Sequence, residues 1–434
     1  MAFTPVGVGI IGMGTVGSGV VKLLGDMPVS MKRRKSVVFS IEKVAVREKS
    51  KARSVNVDAQ ILTEDVNELL EDKNIDIVIE LTGAPAAYDW VRGALKRGKD
   101  VVTANKALLA EHGEELYKLA FDHGKNIMFE ASVAGGIPVV KCLRNGLVAN
   151  QIESLYGILN GTTNYILTRM HQGEGTFSEI LADAQEIGFA EPDPTMDVSG
   201  RDAAQKLAIL SRIAFCSKAL GAEVFCEGIE HLEPIDIDYA TELGYVIKLL
   251  AISKRVQSGV EMRVHPAMVP ANSLLGNIND EYNAVEIVGS SVGNQVFYGK
   301  GAGQMPTASA VVADMVELAE RNADGAGPLI SDMLIGEEGL PMANLDAMEI
   351  RYFLRMQAID KPGVLEQISN LLSSRNISIA SVLQKERDVD GGYVPLIIVT
   401  HEAREASMQK SVEEINNLSV IQGTVQVIRI EELQ

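Results

Sequence analysis

The 434 residues exceed the usual size of one domain, and 46% hydrophobic with 23% charged residues suit two or three packed cores rather than a disordered chain. A formal net charge of −18 excludes a general affinity for nucleic acid or anionic membrane, because phosphate binding needs clustered cations. Cys142, Cys216 and Cys226 form an odd set without metal-ligand spacing, which sets aside disulfide scaffolding and structural zinc.

The chain opens with no basic stretch leading into an apolar run, and no run reaches the roughly 18 apolar residues of a membrane span, so the cytoplasm is the expected compartment. Val6 to Ile11 reads as a short apolar strand, followed by Gly12-Met13-Gly14-Thr15-Val16-Gly17 and a helix whose apolar residues recur to Leu24. A glycine pattern of this kind between strand and helix is a dinucleotide loop. Gly12 permits the turn, Gly14 lets the pyrophosphate approach the backbone, Gly17 lets helix pack on strand, and the first helical residues Thr15 and Val16 present free amides. The basic run Lys32-Arg33-Arg34-Lys35 reads first as a solvated loop and second as a contact to a cofactor phosphate.

A second strand is expected over 37–46. Its end, Val46-Arg47-Glu48, is where the ribose is selected; Arg47 leans toward the 2′-phosphate of NADP, with NAD left open. Strands over 75–81, 100–103 and 126–130 alternate with helices over 88–97 and 108–123, which predicts an α/β domain with a doubly wound parallel Rossmann sheet over residues 1–135. At the strand ends Thr82 and Gly83 are expected beside the nicotinamide ribose, and Thr103 and Lys106 over the same crevice.

From 136 to 325 the pattern changes to an α+β region. Helices are expected over 137–148, 177–186, 202–215, 237–256 and 308–321, with strands over 152–159, 261–266 and 284–288. Within it, the stretch from Gly188 to Lys206 holds Glu191, Asp193, Asp197 and Asp202. Pro192 and Pro194 deny helix to its start. Ser199 is expected to cap the next helix with Asp202 at the capping-box position, and Asp202 and Lys206 then share a helix face. Read locally, that is a cap and an ion pair. Four carboxylates converging on one lysine exceed what a cap requires, and suit a zwitterionic substrate whose ammonium meets a carboxylate while lysine meets the reacting oxygen.

Residues 326–348, rich in Gly, Pro and Met, read as a linker. Residues 349–434 then show strand, the turn Asp360-Lys361-Pro362-Gly363, helix to 374, strands over 377–384 and 394–399, helix over 403–418 and strand over 425–430, a βαββαβ unit.

The glycine loop, Thr103-Ala104-Asn105-Lys106, the stretches 157–167 and 188–206, and 299–314 together resemble homoserine dehydrogenases along nearly the whole chain, in the monofunctional form. The last segment is similar to ACT domains, which makes 136–325 a catalytic and dimerisation domain and 349–434 a regulatory one. The resemblance implies reversible reduction of L-aspartate 4-semialdehyde to L-homoserine by NAD(P)H. By motif position it makes Lys206 the proton donor, Lys106 a neighbour of nicotinamide and substrate, Glu191 the ammonium ligand and Asp202 an orienting group, with Asp197 in the same substrate loop and Gly301 against the cofactor. It also implies a sodium site at Glu130 and the carbonyls of Val133, Gly135 and Ile137, oxygen donors suited to a hard cation. L-threonine is the implied effector and a homo-oligomer, dimer or tetramer, the implied assembly; deleting the chain after about 345 is then expected to spare catalysis. Alternatives from the residues are another dehydrogenase of an amino-acid-derived substrate and a non-catalytic nucleotide-and-amino-acid sensor.

Overall fold

The computed structural model describes residues 6–26, 35, 37–329, 333–334, 339–385 and 392–433. Of the basic run, residues 32–34 lie outside those described; Lys35 is exposed and paired with Glu320 at 3.1 Å, so its charge is spent on the protein itself. Among the described residues no helix is long and apolar enough to cross a membrane.

Strands β1 (Val6–Ile11), β2 (Phe39–Ala45), β3 (Leu62–Thr63), β4 (Ile77–Glu80), β5 (Asp100–Thr103) and β6 (Ile127–Met128) pair in parallel in the order β3-β2-β1-β4-β5-β6. This is the doubly wound order, with its switch point between β1 and β4. Helices α1 (Thr15–Asp26), α2 (Val66–Glu71), α3 (Ala87–Lys96) and α4 (Lys106–Asp122) connect them. Layers on both faces explain why β4 is buried at every position. Periodicity gives no hint of β3 and α2, which are only two and six residues long.

The helix expected over 137–148 shortens to α5 (Val139–Lys141) and a wider turn over Cys142–Gly146, closed by Leu147 N–H on the Cys142 carbonyl at 2.8 Å. The middle of the chain then supplies β7 (Ile152–Ile158), α6 (Gly161–His171), α7 (Phe177–Glu186), α8 (Thr195–Val198), α9 (Arg201–Phe215), β8 (Phe225–Cys226) and α10 (Pro234–Glu242). A single helix over 237–256 does not form. The chain leaves α10, turns at Gly244 with φ +84°, and continues as β9 (Tyr245–Val256). Most of β9 is buried, and a strand covered on both faces need not alternate, so its apolar spacing passes equally for a helix. Its pairing with β7 on one side and β10 (Gly259–Pro270) on the other decides the matter.

β11 (Tyr282–Gly289) and β12 (Gly293–Lys300) extend this second sheet, and α11 (Gln304–Ala323) returns to the first core. Ala308, Val311, Met315 and Leu318 of α11 pack with Val8, Ile10 and Val20. Gly19 makes the approach possible, since a Cβ there would lie 2.9 Å from that of Ala308.

The C-terminal segment is β13 (Glu349–Ile359), α12 (Val364–Ser373), β14 (Ile379–Leu383), β15 (Tyr393–Thr400), a short β16 (Ala403–Arg404), α13 (Glu405–Asn416) and β17 (Ile421–Ile430). It is not a separate bead. β17 runs parallel to β10, opposing Arg429 to Ala267 and Ile430 to Met268, so one sheet runs β12-β11-β7-β9-β10-β17-β13-β15-β14 through both regions. Buried ion pairs lie across the seam. Arg263, 1% exposed, meets Glu431 at 2.5 Å, Lys254 meets Glu431 at 2.8 Å, and Arg355 meets Asp236 at 2.6 Å. Removing the segment after 345 would take Glu431 from Arg263 and Lys254, and would leave Arg263 its bond to Glu261 at 2.7 Å. A cut at the linker therefore passes through a shared sheet rather than between two independent ones. Even the linker's described end is tied down, with Leu340 and Met342 bridged to Ser217 and Val260.

Candidate active site

The carboxyl ends of β1, β2 and β4 open on a cleft of about 930 Å³, lined by the glycine loop, Arg47, Lys51, Thr82, Trp90 and Gln304. Gly12 takes φ +97° while its N–H bonds the Ala45 carbonyl at 2.9 Å. A Cβ on Gly17 would collide with the Gly12 carbonyl, whereas one on Gly14 would meet nothing within 4 Å. Gly14 thus leaves the open side of the loop for a ligand, beside Thr15 at the start of α1, and Val16 and Gly17 shape it from behind. The size and the free helix terminus fit a dinucleotide.

The rim near β2 is more basic than Arg47 alone suggests. Arg53 donates to the carbonyls of Glu48, Lys49 (3.1 Å) and Lys51 (2.7 Å), which folds the 48–53 loop and leaves Arg47 and Lys51 exposed at the cleft. On the floor, buried Glu80 accepts from Thr82 N–H (2.7 Å) and hydroxyl (2.6 Å), and from the Thr103 hydroxyl (2.9 Å). Thr103 is fully buried and accepts from Asn105 N–H. It braces the crevice from beneath rather than facing it. Gly83, at φ +64°, turns the chain away after Thr82.

The acidic stretch is built differently from the sequence expectation. Ser199 does not cap α9: it closes α8, and its hydroxyl is buried without a partner. Gly200, left-handed at φ +79°, starts α9 instead. Asp202 is consequently released from capping and faces inward, 5% exposed. One oxygen meets Lys206 Nζ at 2.7 Å and the Asn160 amide at 2.8 Å, and the other meets Lys106 Nζ at 3.0 Å. Burial alone would raise the Asp202 carboxyl, but the Lys206 and Lys106 charges outweigh it and hold it far below the ordinary carboxylate range. Burial would likewise lower Lys106; Asp202, with Asp197 and Glu191 behind it, carries it above its ordinary value.

Lys206 gives a second proton to the Leu159 carbonyl at 2.7 Å, which leaves one ammonium proton for a ligand. Asn160 is the residue that sequence reasoning missed. As N-cap of α6 its side-chain oxygen accepts from Thr163 N–H at 2.9 Å, while its amide donates to Asp197 at 2.7 Å and to Asp202. Its signal was an Asn immediately before a helical run, within 157–167. Of the four carboxylates, Asp193 turns to its own loop, bonding the Thr195 hydroxyl at 2.6 Å. Glu191 is exposed at the mouth, on a loop held by Gln185 through the carbonyls of Glu191 (3.1 Å) and Pro192 (3.2 Å). The result is two ammonium groups on one buried carboxylate with further carboxylates around them, a site that can polarise an oxygen and grip a cation at once.

Glu130 is 4% exposed, and each of its oxygens accepts one N–H, from Val140 (2.9 Å) and Lys141 (2.8 Å). Burial nevertheless pushes it up to about 7. Ala134 and Gly135 both take positive φ, at 53° and 50°, within the 133–137 loop, and the Ile137 carbonyl already accepts from Val139 N–H. An undercompensated buried carboxylate beside main-chain carbonyls fits a hard monovalent cation. Gly301 closes on this loop: a Cβ on Gly135 would collide with the Gly301 carbonyl, and one on Gly301 with the amide of Asn283.

Family models agree with this layout in chain order: the homoserine dehydrogenase NAD-binding domain matches residues 12–130, homoserine dehydrogenase residues 138–316, and the ACT domain residues 352–418. Among curated proteins, the homoserine dehydrogenase of Pseudomonas aeruginosa is 42% identical over 99% of each chain, and that of Neisseria gonorrhoeae 40% identical over 99% of each. Among solved structures, a homoserine dehydrogenase from Thiobacillus denitrificans superposes with a TM-score of 0.93 at 40% identity, covering 99% of both chains. A dinucleotide cleft, a lysine–aspartate cluster reached by Lys106 just after β5, the strand beside β4, and full-length similarity of this degree place the chain in the homoserine dehydrogenase family of oxidoreductases, with a C-terminal ACT domain.

Proposed function

We propose that the chain interconverts L-aspartate 4-semialdehyde and L-homoserine, with NADPH as the favoured hydride donor. The observation that carries this is the pair Lys106 and Lys206 on the two oxygens of Asp202, with Lys106 just past the carboxyl end of β5. The glycine loop and Thr82 would hold the cofactor, which would supply the hydride when bound. The protein binds the substrate ammonium with Glu191 and Asp197 and excludes water around the carbonyl. Lys206, fixed by Asp202 and Leu159, presents its remaining proton to the aldehyde oxygen, so that the oxygen is protonated as the carbon gains hydride. Lys106, at the start of α4, steadies the same oxygen from the cofactor side. In the oxidative direction the proton returns to the lysine.

Arg47 and Lys51 favour a 2′-phosphate because both charges stand exposed at the adenosine end of the cleft; NAD remains the second choice. Sodium at Glu130, Val133, Gly135 and Ile137 would neutralise the buried carboxylate and stiffen the loop that Gly301 clamps. The ACT domain binds a small regulator, for which L-threonine is the proposal, and a homo-oligomer is favoured because β12 and β14 end the large sheet with open edges. Following nicotinamide absorbance with homoserine and either NADP or NAD tests the activity. Turnover preferring NADP is expected, and Arg47→Glu should reverse the preference. No turnover with either cofactor would overturn the proposal.

A further inference from the structure

The segment 225–229 joins the C-terminal domain to the substrate loop. On one side it packs against the junction of α8 and α9. Ile229 N–H bonds the Val198 carbonyl at 3.0 Å, and a Cβ on Gly200 would lie 3.0 Å from Val264, 3.3 Å from the Cys226 sulfur and 3.5 Å from the Glu227 carbonyl. Gly200 stands between Asp197 and Asp202, the two carboxylates that Asn160 bridges. On the other side, Arg429 of β17 reaches back over the seam. Its guanidinium meets Glu227 at 2.6 Å, lies 5.0 Å from the centre of the Phe225 ring, and is held from behind by Glu405, which Tyr352 also bonds at 2.7 Å. Arg429 is 1% exposed, so it has no solvated alternative to these partners.

We propose that Arg429 is a positioning residue for the substrate carboxylates: through Glu227 and Phe225 it presses the 225–229 segment against Gly200 and so sets where Asp197 and Asp202 stand. The proposal rests on the reading of Asp197, Asp202 and Lys206 as the substrate site. It gives the C-terminal domain a mechanical hold on that site within one ion pair and one backbone contact. Cores and ion-pair networks of this density pass displacement on rather than absorb it.

The test is Glu227→Gln, which loosens the hold while keeping side-chain shape. The KM for homoserine should rise roughly three- to tenfold, toward the lower end of the coupling found within one ion-pair network. The dissociation constant for NADPH, read from nicotinamide fluorescence, should stay within about twofold, and Glu227→Asp should recover most of the KM. If Glu227→Gln does not fold, Phe225→Leu, which loosens the same segment without unpairing a charge, carries the same expectation. An unchanged KM with a lowered melting temperature, or parallel losses of NADPH and homoserine binding, would overturn the proposal. Failure of the underlying reading would look different: wild-type protein without homoserine turnover, or a Lys206→Ala variant with full turnover.

Discussion

Asp202→Asn is the most discriminating single change, because it keeps the side chain's shape and removes only its charge. A unit pair at 2.7 Å attracts by about 6 kcal/mol at an effective dielectric of 20 and by about 1.5 kcal/mol in bulk water. Lys206, 13% exposed along its side chain, lies toward the first limit, and Lys106, 36% exposed, toward the second. After the change two ammonium groups face each other across a neutral amide, and Lys206 retains the Leu159 carbonyl as its fixed partner. Loss of about 3–4 kcal/mol of oxyanion stabilisation is then expected, a fall in kcat of about 10²–10³-fold. The pH profile gives an independent sign. Asp202 is shared by both lysines and lifts Lys106 above its ordinary value, so removing it favours the neutral amine within the pair that takes the proton, and the alkaline limb of homoserine oxidation should move to lower pH. Steady-state oxidation of homoserine across neutral to alkaline pH reads both quantities, and NADPH fluorescence checks that the cofactor still binds. A kcat within about threefold of wild type, or a limb displaced upward, would refute the assignment.

Four further outcomes follow from the same structure. Lys206→Ala should bind NADPH normally and lose turnover, and wild-type oxidation of homoserine should rise toward alkaline pH because a lysine must first lose its proton; an acid optimum would exclude lysine as the acid–base group. Glu130 is raised to about 7 by burial, so the fold is favoured with that group protonated and loses the advantage as pH rises through about 7. Sodium, compared with choline at equal ionic strength, should therefore raise the melting temperature by about one to a few degrees at pH about 8 and not at about 5.5, and equal curves would dismiss the cation site. Burial would raise Glu431, but Arg263 and Lys254 hold it down at about 2. Its contribution is complete above the ordinary carboxylate value of 4.5 and is lost as pH falls toward 2. Hydrogen exchange in β17 and β10 should accelerate across that window before the dinucleotide domain unfolds; uniform exchange in all three regions would contradict the seam's dependence on these pairs.

Much of this molecule is local, and local patterns are readable. Gly12 to Gly17 between an apolar strand and a helix, the alternation of short strands and helices up to β6, and the βαββαβ rhythm after Glu349 all report interactions between residues close in sequence, which is why they are visible without a fold. The acidic stretch and Lys206 were likewise visible as chemistry, together with the motifs that carry the resemblance. What the pattern misjudged depends on partners far away. β9 is a strand because β7 and β10 pair with it, not because its own residues refuse a helix. Asp202 is free to bind two lysines because Gly200, wedged against Val264, takes over the start of α9 from Ser199. Lys106 reaches Asp202 from the far end of the first sheet, and Asn160 joins Asp197 to Asp202 while capping another helix. The sequence by itself determined most of the elements and the chemical groups. Only the tertiary structure decided which groups share a charge, and that the last strand joins the catalytic sheet to the C-terminal one, because pairing and burial join residues whose separation along the chain carries no periodic signal.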